Sequence, residues 1–203
     1  PPVLLKDQAY APARENFCSH VAVALAAIHR TPLESLKGLP VQDARTQLEQ
    51  LYAMHQSYGE NLPVFSLVYG WLKRHAPSPS SPTLVHGDFR LGNFLLTEDA
   101  LNGVLDWELT HLGDPMEDLG WLCVNAWRFG RRDKPVAGIA SRQDLYAAYE
   151  KASGHPVDEA RARYWELLGT FKWGVICQYQ AYSYLRGHVP SLERAAIGRR
   201  VAE

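Results

Sequence analysis

The sequence has little cysteine, no excess of either charge and no long apolar run, and each shortage removes a class of protein. Its three cysteines, Cys18, Cys123 and Cys177, lie far apart among apolar or aromatic residues and form no C-x-x-C pair. There is no Asn-x-Ser/Thr site either, so a disulfide framework or zinc ribbon is not expected. The thiols read as small buried hydrophobes in a reducing, cytoplasmic setting. Lys plus Arg number 21 and Asp plus Glu 22, a formal net charge of −1, so the basic excess of a nucleic-acid or membrane-surface binder is missing. The longest apolar run, Val21 to Ile28, is eight residues, against the ~20 that a membrane-spanning helix needs. No two of the 15 glycines stand as G-x-G, and no G-x-x-x-x-G-K occurs, which removes the P-loop. The eight histidines form no H-x-x-x-H or H-E-x-x-H pair, and no G-x-S-x-G elbow is present.

What remains is a composition near the globular average, 46% apolar and 21% charged over 203 residues, the size of one domain or of one large lobe. Phe17, Val21, Leu25 and Ile28 recur at helical spacing and predict a helix over 13–30, stopped by Thr31-Pro32. Further helices are predicted over 43–58 and 63–75, before the proline- and serine-rich stretch 76–82 breaks the pattern. Short β-like runs follow at 83–86, 93–97 and 104–107, the last two reading as a hairpin around a turn at 98–103. The helical period returns over 115–127, 141–152, 158–186 and 191–202. The fold class is therefore α+β and mostly helical, with a small central β element.

Chemistry concentrates in that element. Between residues 86 and 118 the acids Asp88, Asp99, Asp106, Asp114, Asp118, Glu98, Glu108 and Glu117 punctuate apolar segments, where a carboxylate is costly unless it is paired, hydrogen-bonded or metal-bound. His86-Gly87-Asp88 ends one short strand, Asn93 opens the next, and Val104-Leu105-Asp106-Trp107 carries a further acid. Phosphoryl transfer calls for these groups: one carboxylate to orient and deprotonate a hydroxyl, and a carboxamide oxygen with a second carboxylate to hold Mg²⁺ against nucleotide phosphates.

The run His86-Gly87-Asp88-x-x-x-x-Asn93, followed by Leu105-Asp106-Trp107-Glu108 and Gly113-Asp114-Pro115-x-x-Asp118-Leu119, resembles the aminoglycoside phosphotransferase family, whose fold is protein-kinase-like. The resemblance is nearest to the phosphotransferase domains associated with acyl-CoA dehydrogenases. It implies Asp88 as catalytic base, His86 as the brace of the catalytic loop, and Asn93 and Asp106 as ligands of Mg²⁺ and the nucleotide, ATP or GTP. It also implies that Asp118 accepts hydrogen bonds from the loop backbone. Glu108 and Asp114 carry less weight, since Asp before Pro at a helix start is a common cap.

A complete kinase-like enzyme has an upstream lobe with a phosphate-covering loop and a Lys–Glu pair. Only about 85 residues precede the His86 motif, and they read as helices; Ala26-Ala27-Ile28-His29-Arg30 resembles a helix ending of the family's larger lobe. With Pro1-Pro2 at its start, residues 1–203 are expected to be the C-terminal lobe alone, a fragment poorly active by itself. The acceptor is expected to be a small molecule. Residues 121–190 hold ten Lys/Arg against six Asp/Glu, with Arg128, Arg131, Arg132 and Lys134 clustered, which argues against a polycationic antibiotic. A hydroxyacyl or acyl-CoA-related metabolite suits that balance better, and Trp165, Phe171, Trp173, Tyr179, Tyr182 and Tyr184 are candidates for its cleft or for the core. Two rival classes were open: a kinase-like interaction module partnering an acyl-CoA dehydrogenase, and a metal hydrolase built from His86, Asp88, Asp106, His111 and Asp114.

Overall fold

The computed structural model describes residues 2–60 and 62–202, leaving the side chains of Pro2 and Ala202 aside; residues 1, 61 and 203 of the expected lobe lie outside the described residues. The helices are α1 (Pro2–Lys6), α2 (Ala11–Glu15), α3 (Phe17–His29), α4 (Ala44–Ser57), α5 (Pro63–Arg74), α6 (Met116–Leu122), α7 (Arg142–Ser153), α8 (Glu159–Leu185) and α9 (Leu192–Gly198). Four short strands lie between α5 and α6: β1 (Thr83–Val85), β2 (Phe94–Leu96), β3 (Leu101–Val104) and β4 (His111–Gly113). No helix among the described residues is long and apolar enough to cross a membrane.

Local chemistry sets the helix starts. Asp43 accepts the Thr46 N–H at 2.7 Å and Asp158 the Arg161 N–H at 3.0 Å, each satisfying a donor that the first turn leaves unpaired. Ser141 and Asp144 form a reciprocal capping box, and α7 ends on Gly154 at φ 78°. Helix α8 is the spine, packing on α4, α5, α6 and α9, while α3 lies along α7. Phe17, Val21, Leu25, Leu48, Leu72, Leu119, Leu122, Leu145 and Leu168 meet in one core. Where α6 crosses α8, a Cβ on Gly120 would come within 2.6 Å of the Glu166 backbone nitrogen, so only glycine permits that approach. A smaller apolar cluster, Trp121, Val124, Ala126 and Trp127 with Trp173 and Ile176 against it, stands apart from the main core.

Several boundaries differ from those read in the sequence. The expected helix 13–30 is broken at Asn16, which leaves the helical region between α2 and α3. The expected helix 115–127 stops at Leu122, because Arg128 turns back and gives two hydrogen bonds, 3.1 and 2.8 Å, to the Cys123 carbonyl. A single 3₁₀ turn, Asn125–Trp127, follows. The hairpin turn is shorter than expected: Thr97 N–H bonds Ala100 O at 2.9 Å and pairing resumes at Leu101, leaving 105–107 outside the strand. Helix 191–202 likewise tightens into a 3₁₀ turn from Arg199. Strand β4, three residues with no alternation to announce it, pairs antiparallel with β1, while β2 and β3 form a separate antiparallel pair. None of the cysteines is in a disulfide, Cys123 and Cys177 being buried and Cys18 half-buried; burial pushes the Cys18 and Cys123 thiols up to about 12.

Candidate active site

The turn after β1 and the start of the β2–β3 hairpin face each other, and the residues between them are locked by hydrogen bonds. Gly87 makes the turn at φ 80°, where a Cβ would come within 2.5 Å of the Leu109 carbonyl oxygen. His86 is fully buried; its Nε2 donates to Leu105 O at 3.0 Å, so its Nδ1 is the acceptor for the Asp88 N–H at 3.2 Å. Leu105 N–H in turn bonds Asn93 O at 2.8 Å. One residue, Leu105, therefore ties the Asp88 turn to the hairpin that carries Asn93 and Asp106.

The Asp88 carboxylate is held from three sides. Trp121 Nε1 donates to Oδ1 at 2.8 Å, Asn93 Nδ2 to Oδ2 at 2.7 Å, and Arg90 Nε lies 3.1 Å from each oxygen. Asn93 Nδ2 also donates to the Asp88 backbone carbonyl at 2.9 Å, so both its amide protons are used and its carboxamide oxygen is left without a partner. Asp106 is exposed, sits at φ 70° in the left-handed region, and makes no side-chain hydrogen bond or ion pair among the described residues. A non-glycine residue there is uncommon and marks a place where the backbone is held against its preference.

Asp118 is fully buried beneath this turn. Its Oδ2 accepts the His86 N–H at 2.9 Å and its Oδ1 the Gly87 N–H at 3.0 Å. Burial alone would raise the carboxyl, but hydrogen bonds from the His29 ring at 3.2 Å and from the loop backbone hold it below the usual carboxylate range. His29 Nδ1 continues the chain to the Tyr149 hydroxyl at 2.7 Å, and burial pushes that phenol up to about 12.

Of the five residues singled out in the sequence, the structure brings His86, Asp88 and Asn93 into direct contact, reaches Asp106 through Leu105, and places Asp118 under the loop. The less weighted acids separate. Asp114 caps Met116 N–H at 3.0 Å and pairs with Arg161, a structural arrangement, whereas Glu108 is exposed. The hydrolase arrangement fails: among the described residues no three or more His, Cys, Asp or Glu side chains are placed to hold a metal ion. His111 instead faces Glu117 Oε2 at 3.1 Å and Leu109 O at 3.0 Å. Two members of the basic cluster are also used internally, Arg128 on Cys123 O and Glu166, and Arg131 on Gly138 O and Leu5 O. Of the candidate cleft aromatics, Trp165 and Phe171 are core residues. Three residues of the neighbourhood went unassigned in the sequence: Arg90, Trp121 and Lys172. Arg90 was visible inside the motif; the other two approach from distant helices and left no local signal.

The comparisons agree on one relationship. A family model described as "Phosphotransferase enzyme family" matches residues 2–165. Acyl-CoA dehydrogenase family member 11 of Mus musculus is 29% identical over 186 residues, covering 83% of this chain and 24% of that protein. A 4-hydroxytryptamine kinase of Psilocybe cyanescens is 28% identical over 128 residues, 58% of this chain and 35% of that one. A crystal structure from Ralstonia eutropha, itself provisionally assigned as an aminoglycoside phosphotransferase, superposes with a TM-score of 0.76 at 25% identity, over 94% of this chain and 63% of that one. The chain thus spans less than two thirds of the length of each.

Proposed function

The chain belongs to the phosphotransferase enzyme family, and from that premise we propose that it carries the hydroxyl-activating and metal-binding part of a nucleotide-dependent small-molecule kinase. The observation that carries this reading is the division of labour at Asn93: both amide protons fix Asp88, and the remaining oxygen is free for a cation. That oxygen and the unpartnered Asp106 carboxylate form a hard, all-oxygen donor pair, which fits Mg²⁺. Magnesium takes only one or two protein ligands when phosphates and water supply the rest, so the lack of a larger acidic cluster is no obstacle. When bound there, the ion would neutralise charge on the phosphates of ATP or GTP.

The chain's own residues do the rest. Asp88 receives the proton of the acceptor hydroxyl. Trp121 and Asn93 hold its two oxygens while the hydroxyl replaces the Arg90 Nε, whose bond is divided between them. His86 and Asp118 fix the loop so that this carboxylate meets the hydroxyl without reorganising, and such positioning is most of what phosphoryl transfer asks of a protein. In this reading the phosphate-covering loop and its Lys–Glu pair belong to a partner lobe, and residues 1–203 alone turn over slowly. The acceptor is a hydroxyacyl or acyl-CoA-related metabolite, in keeping with the acyl-CoA dehydrogenase relatives, and an acyl-CoA dehydrogenase would be the working partner.

Thermal unfolding with and without Mg²⁺-ATP tests the metal half. A ligand at ~100 times its dissociation constant stabilises by about 2.7 kcal/mol. The wild type and Asp88→Asn should both show a metal-dependent rise, and Asp106→Ala should not. A rise that survives Asp106→Ala sinks the assignment.

A further inference from the structure

Lys172, on α8, reaches the catalytic turn from outside the motif. Its ammonium donates to Gly87 O at 3.1 Å and lies 4.8 Å from the centre of the Trp121 ring, whose indole N–H is bonded to Asp88. An ammonium has three donors; Gly87 takes one, and Lys172 forms no ion pair among the described residues. The same side chain lines a cavity of about 370 Å³ between α4 and α8, within the size range of small-ligand sites.

Most of the exposed wall surface is apolar, with Leu51 and Met54 from α4, Ile176 from α8, and Leu109 at the end next to Gly87, while Gln42, Gln47 and Gln50 add uncharged amides. Thr110 Oγ1 is buried in that wall and has no hydrogen-bond partner, an arrangement that costs free energy until something fills it. Three charged groups line the space. His111 is matched by Glu117 behind it, and Glu108 is exposed, so water screens it. Lys172 is half-buried, and its charge is felt most strongly inside.

We propose that this cavity is the acceptor subsite, and that Lys172 reads an oxygen anion on an otherwise apolar, hydroxylated acceptor. Resting on the phosphotransferase reading above, the inference makes Lys172 a specificity residue. The hydroxyl is directed to Asp88, the anionic oxygen meets the unspent Lys172 donors, and the apolar body lies along α4.

Calorimetric titration of the chain with 2-hydroxyoctanoate, 1,2-octanediol and 2-amino-1-octanol tests it, because the three share a carbon skeleton and differ in charge. The hydroxy acid should bind about tenfold more tightly than the amino alcohol, as expected for a hydrogen bond to a charged group. Lys172→Met should erase that preference, Lys172→Arg should keep it, and Glu108→Gln should leave the ranking unchanged. An amino alcohol bound as well as the acid, a preference that survives Lys172→Met, or no saturable binding of any of the three overturns the proposal. Its failure is distinct from that of the kinase reading: Asp88→Asn should leave the ranking intact, and the Mg²⁺-ATP stabilisation is measured without any acceptor.

Discussion

The His29 ring and the Asp118 carboxylate meet at 3.2 Å with almost no solvent on either, and Asp118 also holds the backbone of the turn that carries Asp88. A helix end 89 residues away in sequence is thereby tied to the chemistry.

Removing that carboxylate should be expensive. Asp118→Ala leaves the His86 and Gly87 N–H groups and the His29 ring without their acceptor inside the protein. Leaving buried donors without their carboxylate acceptor typically costs about 1–3 kcal/mol or more. Urea unfolding should show a loss of that order, and a loss under about 1 kcal/mol would mean the loop stands without it. The sign with pH also follows. Because the folded carboxyl lies below its ordinary 3.8, its contribution is complete above that value and disappears as pH falls through the depressed one. The variant should therefore have a shallower acid limb in its stability profile.

His111 should act in the opposite direction. Burial disfavours its cation, but the hydrogen bond and charge of Glu117, aided by Leu109 O, outweigh this and raise it above 6.5. Leu109 O faces Nδ1, while Nε2 meets Glu117 Oε2 at 3.1 Å with the Gln47 amide nitrogen at 3.3 Å beside it. A raised folded value means that the stabilisation is fully present below pH 6.5 and fades as pH climbs through the elevated one. Melting temperatures measured from pH 6 to 9 should fall more steeply for the wild type than for His111→Gln.

Gly120→Ala tests the α6–α8 crossing. The new methyl would press on the backbone of α8, which cannot yield as a flexible side chain would. Overpacking of this kind costs about 1–3 kcal/mol. An unchanged urea midpoint would contradict the close approach.

Trp121→Phe separates packing from hydrogen bonding at the site. The phenyl ring can keep the edge contact with Trp127, now at 5.5 Å between centroids, but it has no N–H for Asp88. Arg90 and Asn93 still hold the carboxylate, so the stability loss should be about 1.5–3 kcal/mol, the range for a hydrogen bond to a charged group. Mg²⁺-ATP stabilisation should persist. Its disappearance would mean that the indole supports the metal residues as well.

Much of this was legible because the chemistry is local in sequence. Asp88 and Asn93 are five residues apart and touch; helices α4, α7 and α8 start within one residue of the positions 43, 141 and 158 where the helical period begins in the sequence. The failures share a cause as well. Helix α6 stops early because the Arg128 side chain takes the Cys123 carbonyl, and β4 exists because β1 pairs with it. Neither is announced by apolar periodicity: Arg128 is five residues from Cys123 but folds back on it, and β1 finds β4 only across the intervening hairpin. Trp121 and Lys172 were hidden for the same reason, each reading as an ordinary helix residue until the helices are packed.

Among the described residues the two strand pairs share no ladder bond, and the bridges from the Asp88 turn to the hairpin that carries Asn93 and Asp106 include the His86–Leu105 bond and the two from Asn93 to Asp88. A fluctuation that parts them would free the carbonyl of Leu105, unseat His86 and release Asn93 from Asp88 in one movement. In the proposed reading, proton acceptance and cation binding share a single cooperative unit, and hydrogen exchange should find the amides of the turn and of the hairpin opening with a common free energy. Opening of the turn would displace the carboxylate and the carboxamide together, whereas a side-chain substitution such as Asp88→Asn, which leaves the backbone bridges in place, would remove one without the other.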